Sequence, residues 1–563
     1  MNSNFKPLGL AVAVAAVSAG YAGVAGAQAT VERSIGNLGD TAIVPYYTVQ
    51  DDWVTGIHII NTSKKTQVVK LRLRRATDSA DALDFNLILS PKDEWTGSIS
   101  DETGNIVVST DDASCTAPIR ENGDFPMSPI YRLGAEEGYI EVITMGAPTT
   151  ESAPIAIAAK HKDGVPRDCG EVASNFFSNV GLRNDPFTDG TLADKGVIDY
   201  DRTHQEVDAD SAELYIGKGA ACLDSSETVT RDEDLAEVCA NFFDSEENAL
   251  KVSYFFRDAA SGIEFGGDAV HLSNFSTEPW MTNQETGLFS GDPYGFDYPD
   301  LDGGPWVDAG SPNFAGNPFA LRYQYNALRS ATVLGVTDVL NDWSIASARN
   351  VSTDWVVTMP GQYAMLDQYV WLTQGLDDSN CGTTTNTSSG TIQVPECNFR
   401  DIPVTADLTL YDREEGQIVP EDGDLVISPQ PPGERNELQL PYEVNVVEWT
   451  DGANTPVLGS AVATSVDASA LGDFGWASLE VTSASRVFSS DQSICQYDIV
   501  SNNVNPDLTK APIWNTAGQR ATCIPAAPDV PVVGFVAWER SFPQNPDGNY
   551  GRLIDHSFEL SSS

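Results

Sequence analysis

"GIHIINTSKKTQVVKLRLRR", residues 56–75, is the stretch whose reading decides the fold class. Two runs rich in Ile, Val and Leu flank Asn61, Thr62 and Ser63, whose short polar side chains bond to nearby backbone and favour a turn. Strand side chains alternate between two faces, so Val69, Leu71 and Leu73 share one face and Lys70, Arg72 and Arg74 the other. The segment therefore reads as an antiparallel pair with an apolar inner face and a charged, solvated outer face. The same period, punctuated by Gly, Pro, Asn or Asp, continues in "ALDFNLILSPKDEW" (82–95) and "GYIEVITMGAP" (138–148). It returns in "STDWVVTMP" (352–360), "VTADLTLYD" (404–412), "YEVNVVEW" (442–449), "GWASLEVTS" (475–483) and "PVVGFVAWE" (531–539).

The expected architecture is mainly β, with two antiparallel, Ig-like β-sandwich regions at 30–159 and 331–563. Between them, residues 160–330 read as an acidic insertion of helices and loops. It holds a helix at "RDEDLAEVCANFF", a Gly-, Pro- and Asp-rich aromatic loop at 283–317, and a second helix opening at Asn317-Pro318. No exact repeat period is present, which argues against a solenoid or propeller.

Residues 1–29 read as a cleaved secretory signal: a polar start with Lys6, an apolar run from Leu8 to Val24, and small residues at Ala27 and Ala29. No later run of about 18 apolar residues suggests transmembrane insertion. Eight Cys behind an export signal point to disulfides rather than to redox catalysis, because none forms a CxxC. Sequential pairing is the simplest of the connectivities: Cys115 with Cys169, Cys222 with Cys239, Cys381 with Cys397, and Cys495 with Cys523. The sequence carries 81 acidic and 32 basic residues, for a net charge of −49. Such a surface repels nucleic acid, whose binding needs Lys and Arg to neutralise phosphate. Divalent cations and cationic protein patches remain natural partners, as does simple solubility in a salty medium.

Within this acidic chain, Lys64, Lys65, Lys70, Arg72, Arg74 and Arg75 form a strip with no acid among them. Three fates are open for it. The strip can be compensated locally by Asp78, Asp81 or Asp84 across a sheet. It can dock against the acidic surface of a second copy, giving self-association, or it can meet the phosphates of an envelope glycan such as lipopolysaccharide.

Catalytic constellations are not legible. Five His stand apart with no HExxH, and GxSxG, P-loop and dinucleotide motifs are missing. Ca2+ is the best cofactor candidate, in two partial loops: "DLDGGPWVD" with Asp300, Asp302 and Asp308, and "NPDGNYG" with Asn545, Asp547 and Asn549. Metal-free turns built on the same Asn and Asp side chains are the alternative. The aromatic loop, with Tyr294, Tyr298 and Trp306 among carboxylates, offers rings for stacking on sugars, or else a satellite core packed beneath the loop.

The blocks "GDTAIVPYYTV", "DALDFNLILSPKDEWTGSI", "TDWVVTMP", "LYDREEG", "GWASLEV", "PVVGFVAWERS" and "NYGRLIDHSF", in that order, resemble a family of secreted, uncharacterised cell-surface proteins of Gram-negative bacteria. The resemblance implies export and an envelope or extracellular role, in the periplasm, at the cell surface or beyond, and transfers no catalytic residue. The expected function is that of a secreted, disulfide-stabilised structural or adhesive protein without catalysis. A secreted carbohydrate-binding protein or glycoside hydrolase is the alternative, its two carboxylates hidden among the 81 acids.

Overall fold

A computed structural model describes residues 31–77, 79, 81–117, 119, 124–127, 132, 134–174, 243–244, 248–275, 301, 333–360, 385–387, 390–392, 404–411, 417–418, 426–428, 437–483, 493–497, 521–525 and 529–560. The described chain is mainly β, with several antiparallel sheets. Each strand read from the sequence appears: Trp53–Asn61, Gln67–Arg75, Asp81–Leu89, Glu137–Pro148, Val351–Thr358, Val404–Tyr411, Val444–Thr450, Phe474–Ser483 and Val533–Arg540.

The first sheet centres on Glu137–Pro148, which pairs with Thr41–Thr48 on one side and Gln67–Arg75 on the other. Asp81–Leu89 then pairs with Gln67–Arg75. The second sheet places Trp53–Asn61 between Leu250–Asp258 and Glu94–Asp101. Their inner faces share one core, including Ile57, Ile59, Leu71, Leu73, Phe85, Trp95 and Val142. Phe85 stacks on Phe125 at 4.2 Å and meets Trp95 edge-on, adding a specific geometry to the area these rings bury.

Two further sheets form the C-terminal half. In one, Phe474–Ser483 lies between Val404–Tyr411 and Asp338–Ser344. In the other, Val351–Thr358 lies between Val444–Thr450 and Val533–Arg540, and Val444–Thr450 also pairs in parallel with Ala463–Asp467. These two sheets enclose a second core whose centre is Trp343 stacked on Trp449 at 5.3 Å, with Trp355 tilted against Trp449. The sheet of Val351–Thr358 is apolar on both faces. Trp355, Val357, Val447 and Val536 face the second core, while Val356, Val446, Phe535 and Ala537 join the first. Phe535 lies 5.7 Å from Phe256 and 6.0 Å from Tyr254, so this sheet packs against the N-terminal half. Thr358 Oγ1 donates to the Pro45 carbonyl and the Val444 amide to the Ala76 carbonyl, adding backbone contacts to the junction.

The segment 160–330 is not solely an insertion of helices and loops. Leu250–Asp258 and Ile263–Asp268 extend the second sheet, and Val270–Ser273 pairs with Thr41–Thr48 in the first. Leu250, Val252, Tyr254 and Phe256 alternate inward along one strand, so the first β region continues past residue 159. The expected signal at 1–29, the helix expected at 231–243 except Phe243, which pairs as a strand residue with Pro148, the helix expected from 317, and nearly all of the loop 283–317 lie outside the described residues. Leu301 is the described residue of that loop, and it is buried in the first core.

Cys115 and Cys169 form a disulfide, tying the short helix Cys169–Ser174 to the edge strand Cys115–Ala117. Cys495 and Cys523 stand directly opposite each other in an antiparallel ladder. Cys222, Cys239, Cys381 and Cys397 lie outside the described residues. No helix among the described residues is long and apolar enough to cross a membrane.

A candidate functional site: the buried charge network

The cationic strip splits in two. Lys64 is exposed, and Lys65 lies partly buried with its Nζ 3.2 Å from Asp244. Lys70, Arg72 and Arg74 are buried, at 0%, 1% and 5% exposure. The expectation of a solvated outer face is therefore corrected for these three: the alternation is right, and the second face is covered as well. Leu301 and Glu443 are among the residues that reach it. As exposed interaction residues for a second copy or a glycan phosphate, Lys70, Arg72 and Arg74 are withdrawn, because a partner cannot reach a covered ammonium or guanidinium. Arg75, at the end of the strand, is half-buried.

Register explains the pairing. Asn86 stands opposite Lys70, Asp84 opposite Arg72, and Asp81 opposite Arg74 on one neighbouring strand. Glu141 stands opposite Arg72 on the other. Asp84 Oδ2 lies 3.3 Å from Arg72 Nη2 and 3.8 Å from Lys70 Nζ. Arg74 Nε donates to Glu141 Oε1 at 3.2 Å, and its Nη1 to the Ser79 carbonyl at 2.8 Å. The Tyr139 hydroxyl donates to Glu443 Oε2 at 2.8 Å, Ser79 Oγ also donates to Glu443, and the Leu301 amide donates to Glu141 Oε2 at 3.4 Å. Three cations thus share one covered region with the carboxylates of Asp84, Glu141 and Glu443. Local compensation, one of the three fates open to the strip, is what the geometry shows for this part of it. Taking such ions out of water costs several kcal/mol each, which close opposite charges and hydrogen bonds must offset. A one-residue slip would drive these ions into the apolar core, so the network fixes strand register. Gly138 permits the close approach, since a Cβ there would collide with the Arg74 carbonyl.

A second polar belt lies at the junction of the two halves. Glu137 Oε2 accepts from the Tyr46 hydroxyl at 2.7 Å and Ser460 Oγ at 2.6 Å, and its Oε1 accepts from the Ala461 amide at 2.8 Å. Burial raises its carboxyl above the ordinary range against those donors. Asp354, opposite Glu448 in register, accepts the Val457 and Leu458 amides at 2.8 and 2.7 Å through Oδ2. Burial holds Asp354 well above the carboxylate range, and Glu448 and Glu539 add repulsion. Burial pushes Glu539 up to about 7, reinforced by Asp258. Two histidines are structural: burial lowers both to about 4, His271 Nε2 accepts from the Val252 amide, and His556 sits between Trp355 and the Val356 carbonyl.

The loop Asn545–Asn549 is a turn with a short 3-10 segment at Pro546–Gly548. Asn549 Oδ1 accepts from the Phe542 amide at 2.6 Å, and its Nδ2 donates to the Ser261 carbonyl at 3.0 Å. Its side chain thereby ties this turn to the one joining Leu250–Asp258 and Ile263–Asp268. Asp300, Asp302, Asp308, Tyr294, Tyr298 and Trp306 lie outside the described residues. Among the described residues no three His, Cys, Asp or Glu side chains converge to hold a metal. Sequence reasoning missed Glu141, Glu443, Glu137 and Asp354, which carry no recognisable motif. Glu141 carried a usable signal, because it falls on the same strand face as Tyr139 and Ile143, in the register of the cations.

No protein-family model matches the chain, and no match was found among curated proteins or solved structures.

Proposed function

We propose that this chain is an exported, disulfide-stabilised structural or adhesive component of the cell surface, built to assemble rather than to catalyse. The observation that supports this reading best is the internal use of the clustered cations. Lys70, Arg72 and Arg74 neutralise buried acids on neighbouring strands of one sheet, in a chain whose net charge is −49. Such ion pairing builds a rigid scaffold with a strongly acidic exterior, which suits contact with cationic patches or bridging by divalent ions. The architecture proposed is two Ig-like β-sandwich regions with an acidic insertion between them. Export and calcium binding at 300–308 and 545–549 belong to the same proposal.

Light scattering after size exclusion tests it, at low and high salt, each with calcium and with chelator. Oligomers that respond to salt or calcium support the reading, and a monomer in all four conditions rejects it. Glycan binding is the second reading, favoured by Tyr411 and Trp476, which stack at 3.8 Å on half-buried positions of adjacent strands. Glycan-array binding lost on Trp476→Ala would select it.

A further inference from the structure

The strand Val533–Arg540 ends in a cluster of rings and guanidinium groups shared with the edge strand Tyr550–Asp555. Trp538 faces Arg552, and Arg540 faces Tyr550, across this ladder. The guanidinium of Arg552 lies 4.8 Å from the Trp538 ring centre, and that of Arg540 lies 4.9 Å from Phe542. Tyr550 completes the patch, 5.5 Å from Trp538 and 6.3 Å from Phe542. Arg552 is exposed and Tyr550 is 45% exposed, while Trp538, Arg540 and Phe542 are half-buried.

Charge makes this patch unusual for the chain. Several described cations elsewhere sit on carboxylates, as Lys65 does with Asp244, Lys251 with Asp268, and Arg257 with Glu264, and single guanidinium groups lie over a ring at Arg33 and Arg349; here two arginines and three rings share one patch. Neither Arg540 nor Arg552 forms an ion pair among the described residues, although acids outnumber bases 81 to 32. The Nε of Arg540 is buried without a hydrogen-bond partner. Stacking on a ring holds a guanidinium plane in place and leaves its edge donors pointing outward, the arrangement that grips a carboxylate through two hydrogen bonds. Aromatic rings and Arg are also the residues that anchor protein interfaces.

We infer that this arginine–aromatic patch is the surface on which a second copy of the chain docks, through carboxylates of its acidic exterior. The inference rests on the assembly reading and gives it an interface in place of the buried strip. A patch on one copy meeting a different surface on the next is a heterologous contact, which closes into rings or runs on as filaments. Charge complementarity selects the occupant, because each further copy brings the same excess of acid. An acidic polysaccharide is the competing occupant, and the experiment separates the two.

Sedimentation velocity at low and high salt is run on the full mature chain, on Arg552→Glu and on Arg540→Gln, with polygalacturonate binding measured in parallel. Arg552 is exposed, so a thermal midpoint equal to wild type certifies its fold. The expected result is salt-sensitive association of the wild type, weakened at least about tenfold by Arg552→Glu and by less in Arg540→Gln. Wild-type association unchanged by Arg552→Glu overturns the docking surface and leaves the assembly reading standing. A wild type monomeric throughout overturns both, and polygalacturonate binding by that monomer, lost on Arg552→Glu, reassigns the patch to a glycan.

Discussion

Replacing Asp84 with Asn keeps the side chain's shape and removes its charge. The carboxylate it removes lies 3.3 Å from Arg72 Nη2 and 3.8 Å from Lys70 Nζ, with all three side chains at most 1% exposed. Arg72 and Lys70 then face a neutral amide in place of that carboxylate, in a buried region where water screens weakly and Glu141 is the acid still opposite Arg72. Breaking a buried pair by removing one partner costs about 3–5 kcal/mol, whereas an exposed pair is worth at most about 1 kcal/mol. The expected loss for Asp84→Asn is therefore about 3–5 kcal/mol, nearly independent of salt because buried pairs are weakly screened. Denaturant unfolding followed by tryptophan fluorescence measures it, with Arg72→Met and the double variant completing a thermodynamic cycle. The loss in the double variant should fall well below the sum of the two single losses, since removing Arg72 also removes a charge that Asp84 neutralises. A loss below about 1 kcal/mol that disappears in high salt would refute the reasoning, because exposed pairs behave that way.

The raised carboxyl of Glu539 gives a pH prediction. Its protonated form is favoured in the fold, so its stabilising contribution is fully present below its ordinary value of 4.5 and is lost as pH rises through about 7. Glu539→Gln should therefore be more stable than wild type at pH 8, by about 1–2 kcal/mol after screening at this half-buried site, with the difference vanishing near pH 4. Thermal melts across that range would show it. Replacing both Cys115 and Cys169 with Ser should cost about 2–4 kcal/mol in denaturant unfolding, since the bridge closes a separation of 54 residues. Asn549→Ala removes hydrogen bonds to Phe542 and Ser261 and should cost about 1–3 kcal/mol with or without calcium. A loss confined to calcium-containing buffer would instead assign that side chain to the ion.

The strands were legible because period-two alternation is a property of the chain alone. Val69, Leu71 and Leu73 turn inward as their spacing requires. What covers the opposite face depends on residues distant in sequence, so Lys70, Arg72 and Arg74 read as solvated. Only the fold brings Glu443, more than 360 positions from Arg74, to Ser79 and Tyr139 beside them. A signal was nonetheless present: Asp84 and Glu141 fall on that same face of the two neighbouring strands, both opposite Arg72, a matching of charge that a water-facing sheet does not need. The strand Leu250–Asp258 was hidden for another reason. Its alternation is clear, but the acidic stretches around it suggested an insertion, and composition averaged over a long window outweighs nine residues. The short strand Ala463–Asp467 is five residues of mixed β-propensity with no clear alternation, and its parallel pairing with Val444–Thr450 is a tertiary property. Tyr550 and Arg552 gave no sign of their stacked partners, which lie across a turn and a ladder.

The burial of the cationic strip is tested most directly by lysine labelling of the native protein with acetic anhydride, followed by peptide mass spectrometry. Lys64 and Lys70 lie six positions apart, one exposed and one at 0% exposure, so each sample carries its own control. If the strip is an internal counter-ion network, Lys64 is modified rapidly while Lys70 stays unlabelled until the chain is unfolded. Labelling of Lys70 at the rate of Lys64 under native conditions would contradict it, returning the strip to the surface and to the partners a surface can meet.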